Sequence, residues 1–375
     1  MRQKIYYVAN ARMPTEKAHG IQIAKMCEAL IEAGADVELI VPRRGRDERA
    51  LQEFYGLRVA IPVRYVWTPD WYGAGRMGFF ISSLAFMFGY AGHLWRKKIR
   101  GSEGIIWAID IDQFSFFCIP FLGMPYLAEI HDAKPWSVPF FFLTRGARMV
   151  VVINTLIKEK IEEVFHIPSE RIAVHPNGSD PLLFSGSLSR ADARLALGIG
   201  EEKKIALYAG QFYAWKGLGI VSAAAADAPD ILFYLVGGDE KEYVRVAGTA
   251  PVPNMVFAGH RPYQEMPRWL AASDALLVLG TTTEEYSYLH TSPMKLFEYM
   301  ASRRAIIAAD TPANREIVSD AEAFFYAPDD PAALARAVAY AFSHPEDARA
   351  KIEAAGQKAS KYTWDRRAQE ILSRI

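Results

Sequence analysis

Apolar positions in this chain come mostly as short continuous runs, with little strict alternation. In the first half the runs are Ile5–Asn10, Val37–Pro42, Ile105–Ile109, Tyr126–Ile130, Met149–Asn154 and Ile172–Pro176. Strands buried on both faces of a parallel sheet read this way. Helical stretches lie between them, one over 20–33 closed by Gly34 and one over 156–166 opened by Thr155 as N-cap. The second half repeats the pattern. Strands are predicted at Ile205–Ala209, Ile231–Gly237, Met255–Ala258, Ala275–Leu279 and Ala305–Ala309, and helices over 219–226, 266–272, 294–301 and 331–341. A polar stretch from about Phe184 to Lys204, with Gly186, Gly198 and Gly200, reads as the connection. A last helix, about Trp364 to Arg374, follows a second half that is already complete, so it is expected to return to the first domain. The fold class predicted is α/β, with two Rossmann-like doubly wound domains facing a cleft. The expected division is 1–185 with 356–375 against 186–355. Ligands of open α/β sheets bind beyond the carboxyl ends of the strands, so chemistry is sought in the loops that follow them.

Composition narrows the classes. The 375 residues are 51% apolar and 23% charged, which fits a folded chain of two domains. Lys plus Arg and Asp plus Glu both number 43, which disfavours a strongly basic nucleic-acid binder. Cys27 and Cys118 alone exclude a disulfide scaffold and a four-cysteine zinc site. The apolar run at residues 5–10 is too short for a signal peptide, and a cytoplasmic location is expected. One segment stands out. Met77 to Trp95 holds no Asp, Glu, Lys or Arg, with Arg76 before it and Arg96, Lys97, Lys98 and Arg100 after it. It reads as a packed core helix, or as a helix lying on an anionic membrane surface with residues 77–100 in contact. Three glycines, two serines and His93 argue against a span.

Several catalytic signatures are missing: the GxxxxGK[ST] phosphate loop, GxGxxG, HExxH and GxSxG. Ser292-Pro293-Met294-Lys295 spells SxxK, but the SDN and KTG partners of that motif are absent. What remains is a set of loops. In Thr291-Ser292-Pro293-Met294-Lys295-Leu296-Phe297-Glu298, Ser292 is a natural N-cap and Pro293 suits the first helical position. The free N–H groups of such a helix start attract an anion, and Lys295 in the first turn opposes the helix dipole unless an anion joins it. The blander reading is an amphipathic helix with Lys295 and Glu298 as an exposed pair. Gly210-Gln211-Phe212-Tyr213-Ala214-Trp215-Lys216-Gly217 leaves a strand at a glycine and can bring Lys216 to a phosphate, or be an ordinary loop with a solvated lysine. His131 follows the Tyr126–Ile130 run, where a site histidine and a structural one weigh about equally. The long loop from Asn10 ends at Gly20, another anion-friendly helix start, and Pro176-Asn177-Gly178-Ser179-Asp180 reads as a turn.

Taken in order, these segments resemble the retaining glycosyltransferases of family 4, which have the GT-B fold, over nearly the whole chain. The resemblance rests on Pro293-Met294-Lys295-Leu296-Phe297-Glu298-Tyr299-Met300-Ala301, on Gly210 with Lys216-Gly217, on Pro176-Asn177-Gly178 with Asp180, on Phe257-Ala258-Gly259-His260, and on Tyr362-Thr363-Trp364. It implies a nucleotide-sugar donor held mainly by the second domain and a glycan or lipid-linked acceptor entering from the first. It also implies His131 near the donor sugar, Lys216 on the diphosphate and Glu298 on the ribose. Ser292, Pro293, Met294 and Lys295 would lie at the distal phosphate, Gly20 and Gly210 near the diphosphate, and His260 near the base. No cofactor or metal is expected. Two positions depart from the family pattern. The first Glu of E-x7-E falls at His290, and the Arg five residues before the loop lysine falls at Gln211. The first touches donor-sugar contacts, and the second removes a positive charge from the leaving-group site. The activity implied is sugar transfer to an acceptor hydroxyl with retention, in cell-surface polysaccharide or glycolipid biosynthesis, at the inner face of the plasma membrane. A sugar-nucleotide epimerase and a non-catalytic nucleotide-sugar binder are the alternatives.

Overall fold

The structure is a computed structural model that describes residues 2–44, 50–184 and 188–375. The chain divides into two compact units, residues 1–176 with 364–375, and residues 177–363.

The first unit is built on a seven-stranded sheet of parallel neighbours. Its strands are β1 (Lys4–Ala9), β2 (Asp36–Pro42), β3 (Val63–Val66), β4 (Ile105–Ile109), β5 (Tyr126–Ile130), β6 (Met149–Val152) and β7 (Ile172–Val174). Their order is β3-β2-β1-β4-β5-β6-β7, so the winding direction reverses between β1 and β4. The central strands β1, β4, β5 and β6 are buried nearly throughout, which is why they appear in the sequence as apolar runs, with Glu129 of β5 the one charge inside them. β3 was not legible there. It is an edge strand of four residues with Arg64 and Tyr65 exposed.

The second unit holds a six-stranded sheet. Its strands are β8 (Lys204–Ala209), β9 (Ile231–Val236), β10 (Met255–Gly259), β11 (Ala275–Val278), β12 (Ala305–Ala309) and β13 (Phe324–Tyr326). The order β10-β9-β8-β11-β12-β13 places the reversal between β8 and β11. The α/β class and the two Rossmann-like sheets agree with the fold class expected from the sequence.

Four local expectations need correction. Residues 188–204 are not a bare connection. They contain the helix Arg190–Leu197, capped by the Ser189 hydroxyl and closed by Gly198, with Arg194 buried against the Ala272 carbonyl and Asp274. The expected boundary between residues 185 and 186, like Gly186, lies outside the described residues. Asn177 to Phe184 belongs to the second unit, where Phe184 joins Ala355, Ala359 and Tyr362 in one apolar cluster. The segment 356–363 therefore stays with the second unit too, tied by the Ser179–Thr363 bridge and the Ser179 amide on the Tyr362 carbonyl. Finally, the helix Thr155–Phe165 is capped not by Thr155 but by Asn154, whose side chain accepts from the Ile157 amide at 2.7 Å.

The last helix, Trp364–Leu372, does return to the first unit. It packs on the helix Ala18–Glu32, with Trp364, Arg367, Ala368 and Ile371 buried. The apolar segment around Met77–Trp95 is the helix Gly75–Ile99.

Candidate functional site

The winding reversal of the second sheet locates its site. Two loops leave adjacent strands there, 210–217 after β8 and the one starting at Leu279 after β11. Glycine is required where these backbones meet. A Cβ on Gly217 (φ +71°) would sit 2.9 Å from the Gly280 carbonyl oxygen, and one on Gly237 (φ +122°) would sit 2.6 Å from Gly210 backbone atoms. The carboxyl ends of β8, β9 and β11 are therefore drawn together by bare backbone.

Two ammonium groups converge on this floor. Gly210 has φ +139°, and a Cβ there would lie 3.1 Å from Lys295 Nζ and 3.5 Å from Lys216 Nζ. Lys216 ends a short turn, Ala214–Lys216; its Nζ donates to the Gln211 carbonyl at 3.2 Å and lies 5.1 and 5.2 Å from the Tyr213 and Trp215 ring centres. Lys295 is the second residue of the helix Met294–Ser302, and its Nζ stands 3.7 Å over the Tyr208 ring. Neither lysine forms an ion pair among the described residues. Burial pulls Lys216 down to about 8. Burial, and then the charge of Lys216, pull Lys295 well below the ordinary lysine range. Two desolvated like charges aimed at one point are costly, and a bound anion offsets that cost.

Glu298 lies one turn along from Lys295 and is buried, so the exposed Lys295–Glu298 pair does not form. Burial raises its carboxyl to about 7 against the opposing pull of the Tyr263 hydroxyl and Lys295. Near neutral pH the carboxyl therefore offsets the charge of Lys295 only in part.

Ser292 is not the N-cap of this helix. That position is Pro293, whose carbonyl accepts from the Leu296 amide at 2.9 Å. The Ser292 hydroxyl instead accepts from the Asn177 amide at 3.2 Å, and its carbonyl accepts from the Asn177 side chain at 2.8 Å. The Pro176-Asn177-Gly178 segment thus braces the approach to the helix through Asn177. Pro293 and Met294 stand at the helix start, which has no acidic residue in its first turn. Gln211 accepts a hydrogen bond from the Tyr213 hydroxyl. His290 is buried just before Thr291, 3.9 Å from the Glu285 carboxylate. His260 is exposed beyond β10 and pairs with Glu242 at 2.9 Å. The structure brings Gly210, Lys216 and Lys295 together, with Glu298 one helical turn away. His260 and His290 have carboxylates of their own. The aromatic walls Tyr208, Tyr213 and Trp215, and the glycines at 237 and 280, were not singled out from the sequence. Only the Gly237-Gly238 pair could have signalled close backbone approach.

In the first unit His131 follows β5, and its Nε2 lies 2.7 Å from Glu129 Oε1 and 3.1 Å from the Gln22 side-chain nitrogen. Glu129 is fully buried. It also accepts from Arg367 at 2.7 Å and from the Trp107 indole at 2.6 Å. Burial pulls its carboxyl up, but Arg367, His131 and Trp107 outweigh that and hold it near 2. An ionised Glu129 accepts at this short distance, so Nε2 is the donor to it. Gly20 is buried within the first turn of its helix; a Cβ there would meet Thr15 Cγ2 at 2.4 Å and the Tyr55 hydroxyl at 2.5 Å. It is a glycine for packing reasons. In the same helix turn, burial lowers the pKa of His19 and Asp110 partly restores it. Asp110 follows β4 at φ +48° and lies 3.5 Å from Lys134.

Residues 189–359, most of the second unit, match the family model described as Glycosyl transferases group 1. An uncharacterized glycosyltransferase from Methanocaldococcus jannaschii is 24% identical over 111 residues, 25% of this chain and 28% of that protein, so the match spans little more than a quarter of that relative. Solved structures match over the full length. Sucrose-phosphate synthase from Thermosynechococcus elongatus superposes with TM-score 0.80 at 17% identity, covering 99% of this chain and 98% of that one. HepE from Anabaena, in complex with UDP and glucose, gives 0.73 at 19% identity with both chains fully covered. WaaG, a glycosyltransferase involved in lipopolysaccharide biosynthesis, gives 0.67 at 13% identity, covering 98% of each. The chain has the fold that these glycosyltransferase structures share.

Proposed function

We propose that the protein is a glycosyltransferase that moves a sugar from a nucleoside diphosphate sugar to an acceptor hydroxyl, with retention of anomeric configuration. The observation that carries this reading is the convergence of Lys216 and Lys295 on Gly210, with no ion pair to either among the described residues. The match of residues 189–359 to group 1 glycosyl transferases supports it.

The hard step is departure of the diphosphate from the anomeric carbon. As the C–O bond lengthens, negative charge grows on the distal phosphate while the sugar becomes oxocarbenium-like. Lys216, Lys295 and the start of the Met294–Ser302 helix would meet that charge, and burial would make their pull stronger than it is in water. Because the two amines are held in place before the donor arrives, little reorganisation is needed as the bond breaks. Glu298 would bind the ribose hydroxyls. UDP-sugars are the first donors to try, since the HepE structure contains UDP and glucose. In the first unit the His131 ring, oriented through Glu129, would hydrogen-bond a sugar hydroxyl. A glycan or lipid-linked acceptor and a role in surface polysaccharide or glycolipid synthesis belong to the same proposal.

Incubation with UDP-, GDP- and ADP-sugars and a panel of glycan acceptors should release one nucleoside diphosphate. Proton NMR of the product should show the donor's anomeric configuration. An inverted product sinks the retaining reading, and absence of release from every donor sinks the transferase reading. His290 and Gln211, which replace an acid and a base of the family pattern, favour one other reading, donor binding without turnover. The same assay separates the two.

A further inference from the structure

The helix Gly75–Ile99 is apolar on two opposite faces. One face, with Phe86, Met87, Tyr90 and Leu94, is buried in the core of the first unit. On the other, Met77, Ile81, Phe88, Trp95 and Ile99 follow one another at four- and seven-residue steps, which keeps them on one stripe, and all are exposed. A surface helix ordinarily turns a polar stripe to water. Here Phe88 is 69% and Trp95 58% exposed. The stripe does not stand alone. Phe80 touches Phe114 ring to ring, and Phe117, Phe121 and Phe142 form a second chain of ring contacts just beyond. Lys98 at the helix end donates to the Leu122 carbonyl at 3.0 Å, joining the two areas.

The distribution over the chain is lopsided. Among the described residues, 14 of the 18 exposed large apolar side chains lie in the first unit, including Trp67, Trp71, Trp95 and Trp136. Charge follows the same division. The first unit has 25 Lys and Arg against 20 Asp and Glu, whereas the second has 18 against 23. No acidic residue occurs from Trp71 to Ser102, and Arg96, Lys98 and Arg100 lie exposed beside the end of the apolar stripe.

We propose that this face of the first unit docks on the surface of an anionic bilayer. The stripe and the neighbouring aromatics would enter the headgroup region, with Arg96, Lys98 and Arg100 on lipid phosphates. The helix is long and apolar enough to cross a membrane, but its buried face is fixed in the core, so it lies on the bilayer and does not span it. Tryptophan and basic residues flanking an apolar stripe suit that interface.

The test is co-sedimentation of the purified full chain with vesicles of phosphatidylcholine alone and of phosphatidylcholine with phosphatidylglycerol. The expected result is sedimentation with the anionic vesicles, weakened by salt, together with a blue shift of tryptophan emission. F88S/W95S, which alters only exposed side chains, is expected to abolish sedimentation with an unchanged melting temperature. Replacing Arg96, Lys98 and Arg100 with Gln is expected to lower the partition coefficient on the order of a hundredfold, at about fivefold per basic residue. Wild type left in the supernatant with both vesicles overturns the proposal. So does equal sedimentation of F88S/W95S, or a concentration-dependent dimer that F88S/W95S dissolves, which would mean that a second copy covers this face. These readouts do not depend on sugar transfer.

Discussion

Lys216→Met is expected to stabilise the free protein and to cripple donor binding. In the free protein burial lowers Lys216 from an ordinary 10.5 to about 8, so holding it charged at pH 7 costs about 3 kcal/mol. Methionine keeps an apolar side chain beside the stacked Tyr213 and Trp215 rings without that cost. Loss of the hydrogen bond to the Gln211 carbonyl takes back about 1 kcal/mol. A net gain of about 2 kcal/mol corresponds to a rise of about 4–8 °C in melting temperature for a unit of this size. The gain depends on pH in a defined direction. Below about 8 the lysine is protonated in both folded and unfolded chains, and the variant keeps its full advantage. Between about 8 and 10.5 the folded lysine is neutral while the unfolded one is still charged, so the wild type gains stability and the gap closes. With a nucleoside diphosphate present the order reverses. Loss of one buried cation from a phosphate costs about 2–4 kcal/mol, or about 30- to 1000-fold in affinity. Differential scanning fluorimetry at pH 7 and pH 10, with and without ligand, measures both effects. A variant that is less stable when free and still shifts with ligand would refute the reasoning, because Lys216 would then be a structural residue.

Further outcomes follow from the same geometry. Gly210→Ala puts a methyl group 3.1 Å from Lys295 Nζ at φ +139°, and should cost about 1–3 kcal/mol of stability and most of the diphosphate affinity, read by melting and titration. Glu298→Gln should weaken ribonucleotides more than inorganic pyrophosphate in calorimetric titration. It should also remove a stability component that in the wild type is full below about pH 4.5 and is lost as pH rises through about 7. Arg367→Met strands the buried Glu129 carboxylate and should cost about 3–5 kcal/mol in urea unfolding, largely restored in E129Q/R367M. If turnover is found, it is expected to survive excess EDTA, because Lys216 and Lys295 supply the charge at the leaving group.

What was legible in the sequence follows from burial. β1, β4, β5, β8 and β12 lie inside their sheets, so nearly every residue faces packed side chains and the runs are apolar except at Lys4, Glu129 and Lys204. β3 and β13 sit at sheet edges and are only four and three residues long, too short to stand out from loops. The helix Pro345–Ala359 was missed because it buries little besides Ala348, Ala355 and Ala359. Lys216 and Lys295 were legible because each sits next to a local signal, a strand-ending glycine and a proline helix start. Their meeting over Gly210 was not, since 79 residues separate them and only the sheet winding at β8 and β11 brings them together. Arg367 escaped notice for the same reason: the fold carries it from the last helix to a glutamate on β5. Ser292 and Thr155 were misassigned because several adjacent residues could cap, and tertiary partners such as Asn177 made the choice.

Lys216 and Lys295 are expected to form the diphosphate site for a sugar-nucleotide donor. Calorimetric titration of the wild type and of K216M/K295M with UDP, GDP and ADP, and with the matching nucleosides, tests this assignment most directly. One nucleoside diphosphate is expected to bind the wild type, its nucleoside far more weakly, and the double variant is expected to lose the difference. Equal binding of nucleoside and nucleotide, or a double variant that binds as the wild type does, would contradict the assignment.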